Sequence, residues 1–168
     1  IDFEHVDYYH TWDNIIKAYK EFMAKTSSAG MIFIYGADSR LVNLAKESQR
    51  PFRTYGFSLQ DHIYATDVHL DHFSSTFRAV VDGREVGLFK LKVLGRHNIL
   101  NALATIGLGL ALSIKVSIIQ ESLAQFLGVQ RRFQIVGQTD DILVIDDYAH
   151  HPTEINATIA AAKLVKRK

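Results

Sequence analysis

The chain has 168 residues, 48% of them hydrophobic, with 19 Lys and Arg against 18 Asp and Glu and no cysteine. That is apolar material for a real core in one domain or one and a part, and the balanced charge sets up no field toward nucleic acid or an anionic membrane. The lack of cysteine excludes disulfides, thiolate zinc sites and a cysteine nucleophile. The longest apolar-rich segment, Ala102 to Ile119, is interrupted by Thr105, Ser113 and Lys115. Neither a signal peptide nor a membrane span is therefore expected, and cytoplasmic residence is the default. The first residue is Ile and the chain opens directly into motif-like sequence, so it is expected to be a piece of something longer.

Residues 1 to 9 carry Asp2, Glu4, His5 and Asp7. Three carboxylates and an imidazole this close can hold a divalent metal, oxygen ligands suiting Mg2+, or can form a polar loop ahead of a helix. From Thr11, residues Trp12, Ile15, Ile16, Tyr19, Phe22 and Met23 recur at helical spacing, which predicts one helix face packed in a core. Ser27, Ser28 and Gly30 end that helix. Met31 to Tyr35 reads as a buried strand, Asp38 and Ser39 as the cap of a helix through Leu41 and Ala45, and Phe52 to Phe57 as a second strand. Strand, helix and strand in succession predict a parallel α/β sheet. No G-x-x-x-x-G-K-[ST] phosphate loop occurs in these residues.

Between Ile63 and Val93 the pattern becomes an antiparallel meander, with a hairpin turn at Asp82-Gly83. His62, His69 and His72 fall inside it at intervals that match no metal-ligand spacing. Gly95-Arg96-His97-Asn98-Ile99-Leu100-Asn101-Ala102 then opens a helix to about Leu112, with His97 and Asn101 on one face of its first turns. A helix N-terminus favours an anion or nucleotide there, while capping and internal hydrogen bonding serve equally well as a reading. Ser117 to Leu127 is a further helix, stopped by Gly128. Arg131-Arg132-Phe133 begins a strand, an arginine pair that can clamp phosphate or pair with surface carboxylates.

After strands at Phe133 to Val136 and Ile142 to Ile145 comes Asp146-Asp147-Tyr148-Ala149-His150-His151-Pro152-Thr153-Glu154. Two carboxylates, an aromatic ring and two imidazoles behind a strand point to chemistry at its C-terminal end. Pro152 fits the first turn of a helix through Ile155, Ile159 and Ala162, which Lys163, Lys166, Arg167 and Lys168 finish as a solvated end.

Taken together, the acidic cluster with His5, the Gly95/His97/Asn98/Asn101 set, Arg131-Arg132-Phe133 and the run from Asp146 to Glu154 resemble the Mur ligase family. These ATP-dependent enzymes add amino acids to the muramic acid unit of peptidoglycan. The resemblance implies an α/β fold: an incomplete parallel-sheet ATPase domain with an antiparallel meander over residues 1 to 130, then a hinge and the start of a Rossmann-like, amino-acid-binding domain over 131 to 168. It implies that His5 is a Mg2+ ligand, that His97 and Asn101 lie against the adenosine of ATP, and that Arg132 reaches the nucleotide across an interdomain cleft. Asp147 would bind ribose or order the hinge, Tyr148 would sit near the adenine, and His150 would face the substrate as the catalytic candidate.

Within the family, the order and spacing are most similar to the member that joins L-alanine to UDP-N-acetylmuramate through an acyl phosphate. The recycling ligase that attaches a preformed tripeptide to the same sugar is the alternative. Outside catalysis, a nucleotide-binding or interaction module is a further reading, and a His- and Asp-dependent metal hydrolase another. The family's phosphate loop and an acidic Mg2+ ligand are expected upstream of Ile1, and Asp2 and Glu4 look exchanged relative to the commoner order. The chain by itself is therefore expected to be inactive.

Overall fold

Two periodicities build the sheet. The computed structural model describes residues 1–71 and 73–165, so His72 and the Lys166, Arg167 and Lys168 helix end lie outside the described residues. Short apolar runs form β1 (Ile32–Tyr35) and β2 (Phe52–Gly56), joined by α3 (Ser39–Glu47), and the two strands pair in parallel with Ile32 opposite Phe52 and Tyr35 opposite Tyr55. Asp38 caps α3 by accepting from the Arg40 N–H at 3.0 Å, as its sequence position predicts. β3 (Ile63–Asp71) extends the parallel part through two residue pairs, Tyr55 with Ile63 and Gly56 with Tyr64. Its other edge pairs antiparallel with β4 (Ser74–Val81), which pairs with β5 (Arg84–Leu91). The five strands stand in the order β1-β2-β3-β4-β5. Asp82 and Gly83 both take positive φ, 49° and 76°, which is what a two-residue hairpin turn following the strand twist requires.

A helical element precedes β1. Val6–Tyr9 forms α1, where a polar loop was one reading, and Trp12–Ala24 forms α2. The expected core face of α2 is only partly covered: Ile15 and Met23 are buried, whereas Phe22 is 73% exposed. Trp12 is held at the surface, stacked on Phe3 at 5.5 Å with the Arg40 guanidinium 5.0 Å from its ring. Met23 joins Ile34, Leu44 and Ala45 in a small core between α2, β1 and α3.

The main core lies where α4 (Arg96–Ala111) crosses the sheet. Ile99, Leu103 and Ile106 are fully buried against Ile63, Phe77 and Phe89, and α5 (Val116–Gln125) adds Ile119 and Leu123. Phe77 and Phe89 stack with centroids 5.7 Å apart. α5 stops at Gln125, two residues before the expected end at Leu127. Beyond it, β6 (Gln134–Gln138) and β7 (Leu143–Asp146) form a separate antiparallel hairpin, followed by α6 (Pro152–Leu164). The Arg131-Arg132-Phe133 segment, expected to begin that strand, lies outside it because Arg131 and Phe133 take positive φ. Among the described residues no helix is long and apolar enough to cross a membrane.

Gly107 sets how closely α4 approaches the sheet. A Cβ there would collide with the Ile63 side chain and fall 2.8 Å from the Phe33 ring. Gly107→Ala gains about 1 kcal/mol of helix propensity, but overpacking a filled core costs about 1–3 kcal/mol. A net loss is expected, read as a lower midpoint of urea unfolding.

Candidate functional site

Gly95 precedes α4 with φ 104°, in a conformation that L side chains rarely adopt. A Cβ at that position would stand 2.7 Å from His97 Cε1, so glycine is what lets the His97 ring lie back over the helix start. Asn98 fixes the ring: its Nδ2 donates to the Leu94 carbonyl at 2.8 Å and lies 3.1 Å from His97 Nε2. With Asn98 donating, the imidazole carries its proton on Nδ1. Asn98 Oδ1 also faces Asn101 Nδ2 at 3.5 Å, so Asn98 links both residues expected at the nucleotide, although its own part was not assigned from the sequence.

The facing wall comes from the connection into β6. Arg132 stands between Arg131 (φ 58°) and Phe133 (φ 50°), two side-chain-bearing residues in the left-handed region. The Asp147 carboxylate braces this turn: Oδ2 accepts the Phe133 N–H at 2.9 Å and Oδ1 accepts the Ala149 N–H at 2.8 Å. The Tyr148 N–H donates to the Arg131 carbonyl at 2.7 Å. These hydrogen bonds tie the approach to β6 to the exit from β7.

His97, Asn101, Arg132 and Asp147 all line one cleft of about 630 Å³, with Leu91 and Val93 of the sheet side and Glu154 of α6. Tyr148 and His150 are not in that lining. Tyr148 is half-exposed under the Arg131 guanidinium, 4.9 Å from the ring centroid, and meets His150 edge-on at 5.1 Å. His150 is exposed, with Nδ1 3.0 Å from the Tyr148 carbonyl oxygen. His5 sits at the N-cap of α1 with φ 51°, beside a separate hollow that it shares with Asp2, Glu4, Tyr9, Tyr19 and Phe22.

A metal-capable set does form, with a different imidazole. Asp2, Glu4 and His151 bring one ligand atom each within 4.8 Å of one another. His151, left without a role in the sequence reading, is the N-cap of α6 and accepts the Thr153 N–H at 3.4 Å. The position before Pro152, itself the first residue of that helix, was the signal available. Oxygen-rich sets of this kind suit Mg2+.

Burial lowers the pKa of His97 from its ordinary value of 6.5; the Asp147 carboxylate opposes the shift and the Arg132 guanidinium adds to it. A depressed native pKa means that the folded chain binds fewer protons than the unfolded chain just below pH 6.5. Stability is therefore lost as pH falls through that window. His97→Gln removes the titration, and its urea midpoint should fall less than the parent's between about pH 7.5 and about pH 5.

Residues 1–109 match the Mur ligase middle domain, and residues 131–168 match the Mur ligase glutamate ligase domain. The UDP-N-acetylmuramate–L-alanine ligase of Desulfitobacterium hafniense (strain Y51) is 40% identical over 164 residues, covering 98% of this chain and 36% of that protein. The enzyme of the same name from Clostridium botulinum (strain Hall) is 42% identical, over 97% of this chain and 36% of its own length. This chain thus spans about a third of the relatives it matches. Among solved structures, the UDP-N-acetylmuramate–alanine ligase of Thermotoga maritima superimposes with a TM-score of 0.80 at 28% identity, covering 97% of this chain and 36% of that one. MurF from Acinetobacter baumannii gives 0.82 at 23% identity over 98% of this chain and 36% of its own, a likeness of fold alone. Family domains and fold agree along the chain, which belongs to the Mur ligase family.

Proposed function

We propose that these residues form part of a cytoplasmic, ATP-dependent ligase that joins L-alanine to UDP-N-acetylmuramate in peptidoglycan synthesis. The observation that carries the reading is the convergence on one cleft of His97 and Asn101, from the start of α4, with Arg132 and Asp147, from stretches well beyond that helix. Identity of 40% or more to ligases named for this reaction, sustained over nearly the whole chain, supports the choice of amine and sugar.

A carboxylate is a poor electrophile until one of its oxygens becomes part of a phosphate leaving group. The reaction in this reading makes the muramoyl carboxylate an acyl phosphate at the expense of ATP, and the alanine amine then displaces phosphate. His97, kept neutral by burial, and Asn101 present polar atoms to the nucleoside without setting a second charge against it. Arg132 supplies a cation for the phosphates, where charge must be held as the phosphoryl group transfers. Asp2 and Glu4, with His151 or the neighbouring His5, are the residues that would hold Mg2+. Bound there, Mg2+ would neutralise phosphate charge. Asp147 braces the turn that carries Arg132, and closing the cleft about this turn would bring the two walls together and expel water that would hydrolyse an acyl phosphate.

The whole protein carrying these residues should release ADP only when UDP-N-acetylmuramate and L-alanine are both present. ADP release with a tripeptide in place of alanine would assign it to the recycling reaction instead. A polypeptide of the 168 residues alone, which contain no phosphate loop, should bind Mg-ATP weakly or not at all in calorimetry. Tight binding would overturn that part of the reading.

A further inference from the structure

We infer that Glu154 is a positioning residue, joining the start of α6 to the aim of Arg132 within the cleft; the inference rests on the nucleotide reading above. Glu154 stands at the third position of α6 and uses its two carboxylate oxygens differently. Oε2 accepts the backbone N–H groups of His150 at 3.2 Å and His151 at 3.5 Å, which caps the helix. Oε1 takes the Arg132 Nη1–H at 3.3 Å, from a residue 22 positions away. The backbone donors, with Arg132, hold the carboxyl below its ordinary pKa, so it stays anionic.

Arg132 needs such a partner. Its backbone is fixed by the Asp147 brace, yet its side chain is 52% exposed, and a long exposed side chain samples many rotamers. A guanidinium has five donors, and the contact with Glu154 engages Nη1, which leaves the other nitrogens available to an anion. Setting the rotamer before binding removes part of the ordering cost that an incoming phosphate would otherwise meet. The pair is partly solvated, so the expected effect is modest.

Glu154→Gln separates aim from capping, because the amide oxygen still accepts from the backbone but no longer carries charge. In the whole ligase, this variant should lower the unfolding midpoint less than Glu154→Ala does while KM for ATP rises about three- to fivefold, with a smaller change in kcat. Glu154→Ala should lower the midpoint as well. In an Arg132→Gln background, Glu154→Gln should add nothing further. An unchanged KM, a KM lowered because Glu154 sequesters Arg132, independent effects of the two substitutions, or a midpoint as low as that of Glu154→Ala would each overturn the inference. Failure of the ligase reading itself would be seen first, as a parent protein that forms no ADP with both substrates.

Discussion

The carboxylate of Asp147 is the fixed point of the site. It closes the base of the β6–β7 hairpin by accepting from Phe133 on one strand's approach and Ala149 on the other's exit. Hydrogen bonds to a charged acceptor contribute about 1.5–3 kcal/mol each, and a side-chain-bearing residue held at positive φ costs on the order of 1–3 kcal/mol. Two such bonds are thus of the size needed to offset the strain at Arg131 and Phe133. The turn that presents Arg132 exists because Asp147 is there, and the same carboxylate faces His97 across the cleft. One side chain thus braces the backbone that carries Arg132 and adds a negative charge to the surroundings of His97.

Much of the sheet was legible because its signals are local. Asp82-Gly83 requires nothing beyond its own φ preferences to make a hairpin, and Pro152 marks the first residue of α6 through its missing N–H. Gly95 likewise announced the start of α4, and the spacing of His97 and Asn101 placed both on one wall of the cleft. The family motifs carried the rest of the expectation, since Arg132 and Asp147 meet those residues only through tertiary structure.

What was not legible depends on long-range packing. The stripe on α2 has the right period for burial, but period cannot say what will cover Phe22, and it stands in the open. Arg131 and Phe133 read as strand residues because nothing in their side chains signals a left-handed backbone; the reason lies at Asp147, more than ten residues onward. The near approach of His151 to Asp2, 3.9 Å apart, is equally invisible in one dimension. Tyr148 and His150 share a motif with Asp147, yet they turn toward one another, Tyr148 also lying under Arg131, rather than into the cleft. Membership of a motif does not fix which way each of its side chains points.

β3 is bonded to β2 through two residue pairs, whereas its ladder with β4 runs almost the full length of both strands. The sheet therefore has a seam between its parallel and antiparallel parts. The helix α4 packs across both sides of that seam, against β1 and β2 on one and β3 and β4 on the other, and so acts as a splint. Its first two turns carry His97 and Asn101. A shear of one half of the sheet past the other would load this one rod, and the load would arrive at the end that lines the cleft.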